Sequence, residues 1–290
     1  MENIAVVTDS NSGISQKEAK ELGVFVIPMP FTIDGNEYYE DINLSKEEFF
    51  EKLLNDCQIH TSQPGPEVIM DTWSDILKSY DKIIHIPMSS GLSGACQTAM
   101  MLADEEDFEG KVFVVNNQRI SVTLKASVLD ALRLSKSGLA AEEIKDKLEA
   151  DKFNSSIYIT LDTLNYLKTG GRMTQAVQTL GSILKIKPVL QIQGEKLDAF
   201  NVARTMNLAK NQMVNAVKKD IINRFKLSES GKGATIYAVH TANAEACDAF
   251  LEELKIIFPE ASIYKDSLSL SVSCHIGPGS LALAIVKNME

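Results

Sequence analysis

Short apolar runs alternate with amphipathic stretches through the first half of the chain. Ile4–Thr8 has the character of a buried strand and ends in the polar turn Asp9–Gly13. A helix over Ser15–Leu22 and a second strand over Val24–Pro28 follow. Phe31–Ile33 and Tyr38–Tyr39 flank Asp34-Gly35, a dipeptide that favours a hairpin turn. Ser45 with Glu48 forms a capping box, which predicts a helix running to about Asn55. Further strands are expected at Lys82–Pro87 and Val112–Asn116. Helices are expected at Pro66–Lys78, Ala95–Ala103, Val122–Ser137 and Ala140–Ala150. Strand–helix alternation of this kind predicts an α/β fold with a mainly parallel sheet and helices on both faces. Ligands of such sheets bind beyond the carboxyl ends of the strands, where Asp9, Ser10 and Ser89–Ser93 fall.

The second half has another rhythm. Ile157–Thr160 is strand-like and leads to the polar stretch Thr169-Gly170-Gly171-Arg172, while Val189–Ile192 and Lys196–Val202 flank Gly194 as an antiparallel hairpin. A long amphipathic helix is expected from Thr205 to about Arg224, then a strand at Ala234–His240, a helix at Ala244–Phe258 and a strand at Ser262–Leu268. Periodicity leaves the closing run Ser280–Val286 open between strand and helix. Two α/β domains result: 1–153, Rossmann-like, and 154–290, with an antiparallel-rich sheet.

Composition narrows the function. A chain of 290 residues with 44% hydrophobic and 23% charged residues is ordinary globular material. A net charge of −10 argues against reading a nucleic-acid backbone and against adsorption to an anionic membrane. The start of the chain carries Glu2 and no basic segment, unlike a secretory signal, and no apolar run is long enough for stable membrane insertion. Cys57, Cys96, Cys247 and Cys274 are widely spaced, which fits free thiols in the cytoplasm and neither a disulfide framework nor a zinc site. No metal or other cofactor is expected.

Four polar clusters carry the candidate chemistry. Thr61-Ser62-Gln63-Pro64 lies in a predicted loop, its hydroxyls suited to a shared ligand or simply to capping the next helix. Ser89-Ser90-Gly91-Leu92-Ser93-Gly94 joins a strand to a helix, a place where hydroxyls and N–H groups meet the positive end of a helix dipole and favour an anion. Thr169–Arg172 adds a permanently charged guanidinium forked for carboxylate or phosphate, and Arg204 follows the second-half hairpin. Cys274-His275-Ile276-Gly277-Pro278-Gly279 reads as a loop, with an imidazole just before a tightly specified turn, and loops carry function. His60, His85 and His240 have no such company, and Met100-Met101 reads as core filling.

Two rival readings use the same residues. Gly91-Leu92-Ser93-Gly94-Ala95 approximates the nucleophile elbow of serine esterases, with Ser93 as nucleophile, His275 as base and Asp162 as orienter. The 89–94 turn also suits a phosphate or phosphosugar as an anion nest.

The strings Thr-Asp-Ser at 8–10, Thr-Ser-Gln-Pro at 61–64 and Ser-Ser-Gly-Leu-Ser-Gly at 89–94 recur in order with Tyr-Leu-Lys-Thr-Gly-Gly-Arg at 166–172. Ile-Lys-Pro-Val-Leu at 186–190, Ala-Arg-Thr at 203–205 and His-Ile-Gly-Pro-Gly at 275–279 complete the series. In order and spacing, over essentially its whole length, the chain resembles the DegV family, which includes the fatty-acid-binding subunit of bacterial fatty acid kinase. That resemblance implies a non-catalytic carrier with one long-chain fatty acid, such as palmitate, stearate or oleate, bound between two α/β domains. The positions that match the family's carboxylate site are Thr61, Ser62, Ser93, Gly94, Arg172 and His275, with Arg204 a secondary or kinase-facing position. The acyl chain would enter the second domain, and a separate fatty acid kinase would make the acyl phosphate for phospholipid synthesis. The chain departs from the family pattern at Cys274 (usually threonine), Gly65 (usually serine) and Asn116-Asn117 (usually Asp-Ser), and it lacks the family's glycines at Val122–Leu124.

Overall fold

The computed structural model describes residues 2–55, 57–170, 174–180 and 186–289. They fall into two compact units, Met1–Lys152 and Phe153–Glu290.

In the first unit, β1 (Ile4–Asp9) is buried along its whole length, as a strand covered on both faces must be. Asp9 caps a 3-10 turn over Ser10–Ser12 that Gly13 ends. The Ser15 hydroxyl accepts the Glu18 N–H and starts α1 (Gln16–Leu22), after which β2 (Phe25–Ile27) forms. β3 (Pro30–Ile33) and β4 (Asn36–Tyr39) pair antiparallel across Asp34-Gly35, whose φ values of 47° and 84° are the left-handed pair that a tight hairpin requires. Ser45 caps α2 (Lys46–Leu54). β5 (Ile59–Thr61) then pairs antiparallel with β3, giving a three-stranded sheet in the order β4-β3-β5. α3 (Pro66–Ile76) begins on a proline, and β6 (Lys82–Ile86), α4 (Ala95–Ala103), β7 (Val112–Val114), α5 (Ser121–Lys136) and α6 (Ala141–Ala150) follow.

The main sheet of this unit is all parallel, in the order β2-β1-β6-β7. α3 and α4 bury Ile69, Trp73, Cys96 and Ala99 against Ala5, Val7 and Ile83. α5 and α6 also pack on β1, β6 and β7. Val6, Thr8 and Ile84 point away from the first cluster and are nonetheless buried, so both faces are covered.

The second unit opens with β8 (Ser155–Thr160), α7 (Asn165–Gly170) and α8 (Gln175–Leu180). β9 (Lys187–Ile192) and β10 (Leu197–Ala203) form the expected hairpin, and Thr205 caps α9 (Met206–Lys219). A π-turn at Asp220–Arg224 ends that helix, followed by β11 (Ala234–Thr241), α10 (Ala244–Ile257), β12 (Ser262–Ser267), α11 (Leu270–Ile276) and β13 (Ser280–Lys287). The sheet order is β10-β9-β8-β13-β11-β12, antiparallel throughout except for β11 with β12. Leu281, Leu283 and Ile285 of β13 join Met213, Val217, Phe250 and Leu254 of α9 and α10 in one core. Among the described residues no helix is long and apolar enough to cross a membrane.

Three expectations are corrected here. Thr61 is the last residue of β5 and not part of a loop, because three residues suffice to extend the small sheet when β3 offers a free edge. His275 lies in the last turn of α11 and not in a loop; the alternating Leu270–Ile276 run packs as a helix against α7. Met100 and Met101 are not core: they are 42% and 74% exposed, because α4 buries its other side through Ala95, Cys96, Ala99 and Leu102.

Candidate functional site

In the first unit the candidate residues gather at the carboxyl ends of β1 and β6. The Asp9 carboxylate accepts the Asn11 N–H at 2.9 Å and the Met88 N–H at 2.8 Å, so it ties the end of β1 to the residue before Ser89. Burial pushes the Asp9 carboxyl up to about 6, against the pull of those two N–H groups. The Ser89 carbonyl accepts the Leu92 and Ser93 N–H groups, and its hydroxyl accepts the Gly91 N–H at 3.3 Å. The Ser93 hydroxyl is half-buried and accepts the Ala95 N–H at 3.2 Å, which leaves its own proton free to donate. Gly94 opens α4, which has no acid in its first turn to compete with an anion.

Gln63 binds the second hydroxyl pair to this turn. Its Nε2 donates to the Thr98 hydroxyl at 2.9 Å, and its Oε1 lies 2.6 Å from where a Cβ on Gly94 would sit. A side chain at position 94 would displace the Gln63 amide from its present place. The Ser62 N–H donates to the Pro30 carbonyl at 3.2 Å and, with β5, seats Thr61 and Ser62 on the β3 edge. The structure thus brings Thr61, Ser62, Ser93 and Gly94 into one neighbourhood of one unit. The role of Gln63 is not legible in the sequence, since a contact from a loop to a helix one turn inside its start leaves no spacing signal. Neither is the hydrogen bond that Asn116 Nδ2 donates to the Ser90 hydroxyl at 3.0 Å.

In the second unit, Gly277 ends α11 at φ 80° and donates its N–H to the Ser273 carbonyl. The Tyr166 ring of α7 lies against it: a Cβ at Gly277 would be 2.2 Å from Tyr166 Cδ2. Gly279, also at positive φ, donates to the Thr241 carbonyl, and its own carbonyl accepts from Asn243 Nδ2 at 2.9 Å. His275 is half-buried and lies two residues before Gly277, in the helix α11 that packs against α7. Arg172 lies outside the described residues. Arg204 is exposed, between the end of β10 and the Thr205 cap of α9. None of the four cysteines is in a disulfide, and burial pushes Cys96 up to about 12 and Cys247 up to about 11. Among the described residues no cluster of histidine, cysteine or acidic side chains has the makings of a metal site.

A serine-hydrolase reading fares poorly on this geometry. A nucleophile elbow holds its serine on a sharp, strained turn directly between strand and helix. Ser93 lies well beyond the end of β6 at Ile86, and it is not among the residues with positive φ. Asp162, the proposed orienter, is exposed and ion-paired with Lys187.

The model of the DegV family, described as an uncharacterised protein family, matches residues 3–288. The chain belongs to the DegV family. A DegV domain-containing protein of Staphylococcus aureus is 30% identical over 287 residues, 97% of this chain and 98% of that one. Among solved structures, the fatty-acid-binding DegV family protein from Thermus thermophilus superposes with a TM-score of 0.88 at 28% identity, covering 98% of this chain and 99% of that one. DegV from Bacillus subtilis, a fatty acid binding protein, gives 0.87 at 26% identity, covering 99% of this chain and all of that one at 100%.

Proposed function

We propose that this DegV protein binds one long-chain fatty acid as a non-catalytic carrier and presents its carboxylate to a partner fatty acid kinase. The observation that carries this is the full-length likeness to two fatty-acid-binding DegV structures. In the proposal, the hydroxyls of Thr61, Ser62 and Ser93, the turn at Gly94 and the imidazole of His275 hold the carboxylate. Arg172 supplies positive charge near it, and Arg204 serves a secondary or kinase-facing role.

We assign the tail to the second unit. Strand β13 sends Leu281, Leu283 and Ile285 into the core beneath α9 and α10, so Ala282 and Ala284 face the other side of the sheet. There Ala282 is flanked by Ile159 and Val239, and Ala284 by Ile157 and Tyr237. A strip of small side chains between larger apolar ones suits an alkyl chain. Burying about 14 methylenes at about 0.8 kcal/mol each gives roughly 11 kcal/mol before entropic costs. Hydrogen bonds to a carboxylate add about 1.5–3 kcal/mol each, part of which offsets its desolvation. The tail therefore sets affinity, and the polar residues set head-group identity and direction.

Denaturing extraction of the purified protein followed by lipid mass spectrometry tests the first half of this reading. A near-stoichiometric fatty acid is expected, and its absence from both purified and fatty-acid-incubated protein would refute it. The second half is tested by adding ATP and a candidate kinase to the loaded protein and trapping acyl phosphate with hydroxylamine. Hydroxamate should form only with all components present, and no labelling of Ser93 by a fluorophosphonate is expected.

A further inference from the structure

The Ser89–Gly94 turn leans on the loop joining β7 to α5. The Ser89 N–H donates to the Arg119 carbonyl at 2.9 Å, and Asn116 Nδ2 donates to the Ser90 hydroxyl at 3.0 Å. This loop is held in an unusual path: Gln118 and Ser121 have φ values of 59° and 56°, the left-handed region that side chains other than glycine avoid. Such conformations persist only where the surroundings over-determine them.

The Arg119 side chain supplies that constraint. It is 1% exposed, and one terminal nitrogen donates to both the carboxylate and the carbonyl of Asp151, each at 2.7 Å. The other donates to the Ser127 hydroxyl at 2.9 Å. A guanidinium cannot shed its proton, so it stays charged when buried, and its planar fork fixes the directions of its acceptors. The Arg119 main chain, and with it the anchor of Ser89, is thereby locked to α5 and to the residue that ends α6.

We infer that Arg119 is a positioning residue for head-group recognition: through its own carbonyl it holds the start of the turn that aims the Ser93 hydroxyl. The inference rests on the fatty-acid reading above. Hydrogen bonds to a carboxylate weaken steeply with misalignment, whereas burial of an alkyl chain has no direction. A displaced turn should therefore weaken binding of the acid and spare the matching alcohol. A purely structural role would weaken both alike.

The test measures affinity of the folded protein for a long-chain fatty acid and for the primary alcohol of equal length, in Arg119→Lys and Ser127→Ala. Lysine keeps the charge beside Asp151 but loses the fork, and Ser127→Ala removes one acceptor while leaving the ion pair. Arg119→Lys should lower affinity for the acid about tenfold, the worth of one charge-assisted hydrogen bond, with the alcohol changed less than about twofold. Ser127→Ala should shift the ratio the same way by about threefold, so the inference stays testable if Arg119→Lys folds poorly. Equal losses for acid and alcohol in both variants, or an unchanged preference, overturn the positioning role alone. A native protein with no preference for acid over alcohol overturns the fatty-acid reading and this inference together.

Discussion

The Ser89–Gly94 turn of the first unit is held by hydrogen bonds, while Gly277–Gly279 of the second combines hydrogen bonds with a close ring contact at Gly277. Around the first turn, Asn116 and the Arg119 carbonyl each contribute a polar partner, Asp9 holds the preceding Met88 N–H, and Gln63 lies against Gly94 while bonding Thr98. Around the second, the Tyr166 ring occupies the space a side chain at position 277 would need, and Asp162 lies 3.5 Å from that of a side chain at 279. A hydrogen-bonded turn responds to charge and pH and loses small amounts when one partner is removed. Where a ring closes the space, as at position 277, no added atom is tolerated.

The largest expected effect is on the acid response of the first unit. Burial pushes His85 from 6.5 down to about 3, so between those values the unfolded chain holds a proton that the folded one refuses. Acid therefore destabilises, by on the order of 5 kcal/mol across the window at about 1.4 kcal/mol per pH unit. Asp9 acts oppositely: burial raises it from 3.8 to about 6, so the folded form takes its proton first. That returns on the order of 3 kcal/mol as pH falls. Stability should decline below pH 6.5, stay level between about 6 and 3.8, and decline again below that. Trp73, the single tryptophan, sits edge-on to His85 at 5.5 Å, so its fluorescence reports this unit. Asp9→Asn should abolish the level stretch; a plateau that survives would mean another group takes up the proton.

Next in size is Gly277→Ala. The backbone at φ 80° and ψ 162°, a region kept almost entirely for glycine, costs about 1–3 kcal/mol for alanine, and overpacking against Tyr166 adds about 1–3 kcal/mol. Thermal unfolding should show a loss of that order, and Tyr166→Ala in the same chain should recover the packing share only. A loss below about 0.5 kcal/mol would remove the steric account of this turn.

Smaller effects fall on binding. Ser93→Ala and Thr61→Ala should each weaken fatty-acid binding about tenfold with the fold intact, one charge-assisted hydrogen bond apiece. Unchanged ligand retention in the double variant would take the carboxylate away from these hydroxyls. Gln63→Ala removes the bond to Thr98 and should weaken binding only about threefold, because it orients the 61–64 segment and donates nothing to the ligand. An effect as large as that of Ser93→Ala would make Gln63 a direct contact.

Much of the fold was legible in the chain. Ser15, Ser45 and Thr205 cap the helices they were read to start or precede, and the Asp34-Gly35 hairpin forms as its dipeptide requires. These are local matters of capping and φ, and neighbouring residues decide them. Ala95–Ala103 is a helix as expected although Gly94 gives it no side-chain cap. β5 was missed because three residues carry no usable period, and only the β3 edge makes them a strand. α11 was missed because Leu270–Ile276 alternates like a strand and becomes a helix where α7 receives it.

The site divides along the same line. The order of hydroxyl-, guanidinium- and imidazole-bearing segments could be read directly, and it pointed to the DegV family. By itself the chain determined its strand–helix rhythm, its caps and turns, and which residue types were available for an anion. Tertiary structure alone decided that the ambiguous Ser280–Val286 run is a strand, because β8 and β11 satisfy its backbone from both sides. It alone set Gln63 against Gly94, Tyr166 against Gly277 and Arg119 behind Ser89. Such partners lie far apart along the chain, and a contact between distant segments leaves no period or local preference for a single sequence to display.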